Sequence, residues 1–456
     1  MEKIGQYTPT SDVNDEWDET VPTRFRSGWF NAVQRELVAV VEKVFKKTLN
    51  VADDEQIATS LKSRFEAIAR SMPFDAANGV EMNAAVGAAN DTYGRGVAVS
   101  ADGSVIVVGA DGATSNTGKV YVYSGQDWAT ETILTASDGA VGDRFGKSVA
   151  ISADGSVIVV GSYDDDTSRG AVYVYSGSSW ATQTRLTAID GASNHAFGYS
   201  VAVSNDGTTV AVGAYGHNSS EGAAYIFNGA NWATQTQILA SDGLASDNFG
   251  YSIAISGDGL VLVVGARADN TAQGAAYVYS GSSWATQTKL TASNGASNHY
   301  FGRCVDTNYD GSVVAVGLYT STVSNVYIFC GENWAAEKIL TPSDTLPATV
   351  SFGYSVALSD DGRDLLVTAF GDKLDLGVSM GSLYYFTNYG NGNLWKEHSK
   401  FYSDRVNTDT VVIDNYGDAL ALSGNGLVAV VGAWRRDVGA NTDQGAAFRF
   451  EKLLGA

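Results

Sequence analysis

The stretch Phe145-Gly146-Lys147-Ser148-Val149-Ala150-Ile151-Ser152-Ala153-Asp154-Gly155-Ser156-Val157-Ile158-Val159-Val160-Gly161 recurs, altered, seven times in a chain of 456 residues. Its aromatic-Gly anchor falls at Tyr93-Gly94, Phe145-Gly146, Phe197-Gly198, Phe249-Gly250, Phe301-Gly302, Phe352-Gly353 and Tyr416-Gly417, an almost constant interval that lengthens only before the last copy. Nine residues after each aromatic comes Asp102, Asp154, Asp206, Asp258, Asp310, Asp361 or Asn425, each followed by Gly. A fixed period of this length marks a propeller or a solenoid.

Within one copy the pattern is that of short strands. Val149 and Ile151 alternate with small polar residues, Asp154-Gly155 follows, and Val157 to Val160 form a continuous apolar run. Asp-Gly between two such runs predicts a hairpin with a type I′ turn. A polar loop from Asp164 to Arg169, a third strand from Ala171 to Tyr175 and an outer strand from Ala181 to Ala188, entered through Trp180, complete the unit. Four strands in each of seven copies predict a mainly β fold, a seven-bladed β-propeller, which removes most exposed sheet edges by radial closure. Kelch and WD40 repeats have similar periods, but the copies hold no Gly-Gly doublet and no Trp-Asp dipeptide. The last copy stops near Leu454 without an outer strand, while Met82-Asn83-Ala84 lies one repeat period before Leu134-Thr135-Ala136 and matches it in register. Residues 80–91 are therefore expected to complete the seventh blade of a propeller spanning 80–456.

The segment ahead of the repeats differs. Residues 1–25 are polar, contain Pro9 and Pro22, and read as an extended arm. Across 26–72 the apolar positions Phe30, Val33, Leu37, Val40 and Val44 follow a 3-4-3-4 spacing, and Ile57, Leu61, Phe65 and Ile68 follow a second one. Both predict one-sided helices, with Ser27 and the Asp53-x-x-Gln56 box as starts, and residues 73–79 as a linker. Such a small α-helical domain has a thin core, so burial from oligomerisation or a partner is expected.

Composition excludes several functions. The chain carries a net charge of −21, and residues 1–72 hold 10 Lys+Arg against 12 Asp+Glu, leaving 19 against 38 for the repeats. That balance argues against nucleic acid or an anionic membrane surface as the partner, and favours a neutral or cationic ligand. The amino terminus has no apolar signal-peptide region, and no apolar run is long enough to span a membrane. Cys304 and Cys330 imply no disulfide framework. The four histidines are scattered, and no nucleophile elbow, zinc helix or phosphate loop occurs, so no catalytic residue is expected. Asp164-Asp165-Asp166 reads as a solvated loop.

Two resemblances join these observations. The repeats resemble the FG-GAP repeat of integrin α-subunit propellers and many bacterial and phage proteins, with Val-Gly-Ala followed by Asp111, Tyr215 or Arg267 in place of the family's Pro. In that family the turn between strands one and two holds calcium through Asp-x-Asp-x-Asp-Gly. Here it has shrunk to Ser-x-Asp-Gly, so hairpins without a cofactor are expected; Asp306, Asn308 and Asp310 are the one weak candidate calcium set, with Val314 at the ninth position. The run Arg26-Ser27-Gly28-Trp29-Phe30-Asn31-Ala32-Val33-Gln34-Arg35-Glu36-Leu37, followed by Ala52-Asp53-Asp54-Glu55-Gln56-Ile57, resembles the amino-terminal segment of tailed-phage tail-fibre proteins.

That second resemblance implies Trp29, Phe30, Val33, Leu37 and Val40 as tail-anchoring residues, a trimer or other homo-oligomer, phage tail or baseplate proteins and a host-surface receptor as partners, and a virion assembled in the host cytoplasm. A bacterial cell-surface or secreted adhesin and a polysaccharide-degrading enzyme are the alternatives. The candidate ligand-binding residues stand eighteen positions after each anchor: Asp111, Tyr163, Tyr215, Arg267, Tyr319, Phe370 and Trp434. Five aromatics with an Arg and an Asp suit stacking on sugar rings or a protein loop, or else they lid the blade interfaces. Trp128, Trp180, Trp232, Trp284, Trp334 and Trp395 form a second ring, read as blade packing.

Overall fold

Each copy of the repeat forms a four-stranded antiparallel sheet, and there are seven of them. The computed structural model describes residues 74, 79–320, 325–346, 350–372, 381–389, 394–402 and 414–452. The arm, the helical segment and the tail-anchoring candidates Trp29, Phe30, Val33, Leu37 and Val40 lie outside the described residues. Among the described residues, no helix is long and apolar enough to cross a membrane.

Blade 2 shows the plan: Ser148–Ile151, Ile158–Ser162, Ala171–Ser176 and Thr182–Leu186 pair in that order from the axis outward. The seventh blade is assembled from both ends of the domain. Tyr416–Leu422, Val428–Ala433 and Ala446–Glu451 are joined by Val80–Met82, with Val80 opposite Arg449 and Met82 opposite Ala447. Closure thus rests on backbone hydrogen bonds between the first and the last strand of the domain.

The apolar runs of the second strands are explained by position. Val107 of Ile106–Ala110 packs toward blade 2, whereas Ile106 and Val108 pack toward blade 7, and all three are fully buried. Seven apolar clusters occupy the seven interfaces between blades. A strand buried on both faces needs no polar alternation. The anchor aromatics complete each cluster: Phe145 is fully buried and meets Tyr173 edge-to-face at 5.6 Å.

Two glycines show why the anchor cannot vary. Gly146 has φ +94°, and its carbonyl oxygen fills the space that a Cβ would need at Gly109, the Gly of the preceding blade's Val-Gly-Ala. The Phe-Gly of one blade and the Val-Gly-Ala of its neighbour are therefore two halves of one backbone contact.

The Asp-Gly turns differ from the type I′ expectation. The Gly103 amide donates to Ser100 oxygen, and in this turn only Gly103, at φ +79°, takes a positive φ. The turn is held from inside: Asp102 Oδ1 accepts from the Ser104 amide and both serine hydroxyls, and Ser100 Oγ accepts from the Val105 amide. With Asp as a backbone acceptor, Gly alone has to supply the left-handed residue. The indole expected to lead the outer strand sits just before it, on a short turn, and Trp180 Nε1 donates to Gly155 oxygen at 2.9 Å. Outer strand and inner turn of one blade are thereby pinned together.

The turns also bond to one another around the axis. Ala101 N–H donates to Ala153, Ala153 to Asn205, Asn205 to Gly257, Asp258 to Tyr309, Tyr309 to Asp360, Asp360 to Gly424, and Asn425 back to Ala101. This closed belt rims one end of the central channel. The Asn205 amide donates to Asp360 at 3.1 Å, from blade 3 to blade 6, so the bond crosses the channel there.

Candidate functional site

At the opposite end of the channel stand the residues that follow each anchor Gly, in or just before the inner strands. These are Arg95, Lys147, Tyr199, Tyr251, Arg303, Tyr354 and Asp418, and all seven line an axial cavity of about 470 Å³. Below them the channel wall is made of small and aliphatic residues such as Val97, Val149 and Ile253. The frame around this position is constant while its occupant changes, and sequence reasoning that followed the constant residues missed it. Variation inside a fixed frame was the available signal.

The predicted ring forms a second layer interleaved with this one. Tyr215 meets Tyr199 at 4.6 Å and Tyr251 at 5.8 Å, Tyr163 meets Tyr199 at 5.4 Å, and Tyr319 meets Tyr354 at 5.6 Å. Phe370 stacks on Tyr354 at 4.5 Å and 18°. The Arg267 guanidinium lies 3.9 Å from the Tyr251 centroid, and Arg95 lies 4.5 Å from that of Trp434. Six of the seven predicted residues thus join the inner seven in a two-layer collar. Asp111 stands apart: it is buried, accepts from Thr92 Oγ1 at 2.6 Å and faces Arg144 at 3.7 Å.

The polar loops beyond the ring are unusual in their backbone. In the four short turns Ala113–Asn116, Asp165–Ser168, His217–Ser220 and Asp269–Ala272 the last three residues have φ between 47° and 65°. Asp165 is not solvated, as had been expected of the Asp164–Asp166 run. It is buried and pairs with Arg185 Nη2 at 2.8 Å, because the Tyr173 hydroxyl and Arg185 from the same blade close over it.

Charge in the collar runs against that of the whole chain. Arg95, Lys147 and Arg303 surround the Asp418 carboxylate, which pairs with Arg95 Nη1 at 2.5 Å and lies 3.8 Å from Arg303 Nη2, while Asp111 acts on Arg95 and Lys147 from outside the inner ring and Arg267 lies on the Tyr251 face. Burial opposes ionisation of Asp418, but Arg95, Lys147 and Arg303 together hold it below the usual carboxylate range. Lys147 lies over the Tyr199 ring at 5.0 Å and forms no ion pair among the described residues. Burial, reinforced by Arg95, pulls its ammonium down to about 8. Tyr199 donates to Tyr251 at 3.0 Å; burial would raise the Tyr251 phenol, but Arg303, Arg267 and that hydrogen bond outweigh it.

Two donors in the collar have nowhere to go. Arg267 Nε and Trp434 Nε1 are buried and have no hydrogen-bond partner among the described residues. Orphaned buried donors are uncommon and call for an acceptor. The net charge from which a neutral or cationic ligand was expected is not matched locally at this site, where cations and unpartnered donors are in excess.

The weak calcium set is not brought together. Asp306 accepts from the Leu358 amide of the next blade at 2.7 Å and from Thr307 N at 2.9 Å, while Asn308 turns its amide donor onto Asp310. Among the described residues no group of His, Cys, Asp and Glu has the proximity to hold a metal ion. Cys304 and Cys330 are not joined in a disulfide; Cys304 donates to Gly353 oxygen at 3.4 Å where Ser148 and Ser200 donate to the equivalent glycines.

A sequence profile of the FG-GAP repeat matches residues 128–175, 180–227, 232–279, 284–329 and 334–386, together more than half of the chain. All five matches run from the indole of one blade to the third strand of the next, so the family's unit straddles two sheets. No curated protein matches the chain.

Proposed function

The chain belongs to the FG-GAP repeat family, and on that premise we propose that it is a tail fibre or receptor-binding protein of a tailed phage. In this reading the amino-terminal segment docks on tail or baseplate proteins as a homo-oligomer, a trimer by resemblance, and the propeller adheres to a host-surface glycan or protein. It acts by binding and not by catalysis. The observation that carries the adhesive role is the two-layer collar, where thirteen side chains from seven blades converge on one open end of the channel with unmet donors and aromatic faces. The likeness of residues 26–57 to tail-fibre segments supports the phage assignment.

The test is to probe purified virions of the phage that encodes the chain with an antibody against the propeller, and to compete phage adsorption with the isolated full chain. Labelled tails and blocked adsorption are expected. Unlabelled virions would remove the phage assignment, and unimpaired adsorption would remove the receptor-binding role.

A further inference from the structure

We infer that the collar is a binding site for a carboxylated sugar, a uronate-type ring whose acid group enters among Lys147, Arg267 and Arg303 while its ring lies against the tyrosine layer. The inference rests on the adhesive reading above and names the ligand class of the same site.

The charges set the first requirement. Four cations against Asp418, with Asp111 acting on Arg95 and Lys147 from just outside, still leave a local excess in a chain of net charge −21. Three of the collar's charged groups are well covered, at 25% exposure for Arg95, 16% for Arg303 and 9% for Asp418. Holding like charges together in a partly desolvated mouth is costly unless something compensates them. Asp418 takes up Arg95 and only approaches Arg303, and Lys147 forms no ion pair among the described residues. An incoming anion supplies what is missing, and the unpartnered Arg267 Nε and Trp434 Nε1 add donors for further oxygens.

The aromatic layer sets the second. Tyr199, Tyr251 and Tyr354 stand between the cations and are backed by Tyr215, Tyr319 and Phe370. The ring faces are partly taken by Lys147, Arg267, Arg303 and Phe370, and a small inorganic anion satisfies the cations but makes no use of the ring edges and phenolic hydroxyls that remain. A neutral sugar meets the ring edges and hydroxyls but leaves the cations without a counter-charge. A sugar acid meets both requirements at once, and its hydroxyls suit the phenolic groups. The Asn205–Asp360 bond crosses the far end of the channel, so the ligand enters at the collar.

The experiment is calorimetry of the full chain with oligogalacturonate and with the same oligomer methyl-esterified, which removes the charge and keeps the ring. Inorganic sulfate and poly-glutamate serve as the other anions. The free acid is expected to bind at least about tenfold more tightly than the ester, and Lys147→Met and Arg267→Gln each to lose about tenfold while melting as cooperatively as the parent chain. Equal binding of acid and ester overturns the acid requirement. Sulfate or poly-glutamate binding as tightly as the sugar acid overturns the sugar. The adhesive reading is followed separately through Tyr319→Ala and Trp434→Ala on immobilised bacterial surface polysaccharides. If these lose binding while the two charge variants keep it, only the present inference fails; if none of the four loses it, both fail.

Discussion

Arg95 in the first blade and Asp418 in the seventh form an ion pair at 2.5 Å across the seam where the propeller closes. The pair lies in the collar, so one contact serves both ring closure and the balance of charge at the site. Asp418→Asn removes the only carboxylate among the inner seven and leaves Arg95 and Arg303 facing each other. A loss of about 2 kcal/mol is expected, less than for a fully buried pair because Arg95 is partly solvated. Added sulfate should recover more stability in the variant than in the parent; equal thermal shifts in both would show that the collar cations do not share a counter-ion.

Lys147 gives the site a pH dependence. Its folded value, about 8, lies below the ordinary 10.5, so between those values the unfolded chain holds the extra proton. Fold stability therefore rises with pH through that window, and the charged ammonium is a burden at pH 7. Ligand binding has the opposite sign, because an acid group needs the ammonium. Affinity for the sugar acid should fall as pH rises through about 8, and Lys147→Met should abolish that fall while stabilising the free protein by about 2 kcal/mol at pH 7. A pH-independent affinity in the parent chain would remove Lys147 from the site.

Asp306 stands on the channel wall where the other blades carry Ala98, Ala150, Ala202, Ala254, Ala357 and Ala421. Burial pushes its carboxyl up to about 7, against the hydrogen bonds from Leu358 and Thr307 amides. A raised folded value means that stability is lost as pH climbs from about 4 to 7. Asp306→Asn keeps an acceptor for the Leu358 amide without the charge. The variant should be more stable than the parent at pH 8, by about 2 kcal/mol, with the advantage shrinking as pH falls toward 4. Denaturant titrations at three pH values read this directly, and an advantage that does not change with pH would contradict it.

The indole ring supplies a matched pair. Trp180 Nε1 donates to Gly155 oxygen, whereas Trp284 Nε1 is buried without a partner among the described residues. Trp180→Phe should cost about 1 kcal/mol more than Trp284→Phe in urea unfolding. Equal losses would mean that these indoles act through packing alone.

Much of this fold could be read locally. The anchor, the Asp-Gly pair and the Val-Gly-Ala recur because each satisfies a repeated requirement: a buried aromatic at each interface, a left-handed Gly in each turn and, in every blade but the sixth, where Thr368 bonds to Gly417 oxygen instead, a residue with no side chain where two backbones touch. The site was legible only in part. The ring from Asp111 to Trp434 was visible as variation at a fixed position, yet Asp111 looked equivalent to Tyr163 and Tyr215 although Thr92 and Arg144 draw it inward. The residues next to the anchors were passed over because nothing local marks a side chain at that position as facing an axis.

Periodicity by itself determined the number of blades, their strand content and the completion of the last blade by the segment near Val80, because those follow from short-range pattern and from counting. Tertiary structure alone decided which side chains share an environment. Arg95, Lys147, Arg303 and Asp418 come from four different blades, far apart in the chain, and become neighbours only when the ring closes. Their charges interact over a few ångströms through partly desolvated space, and that distance is a property of the closed propeller.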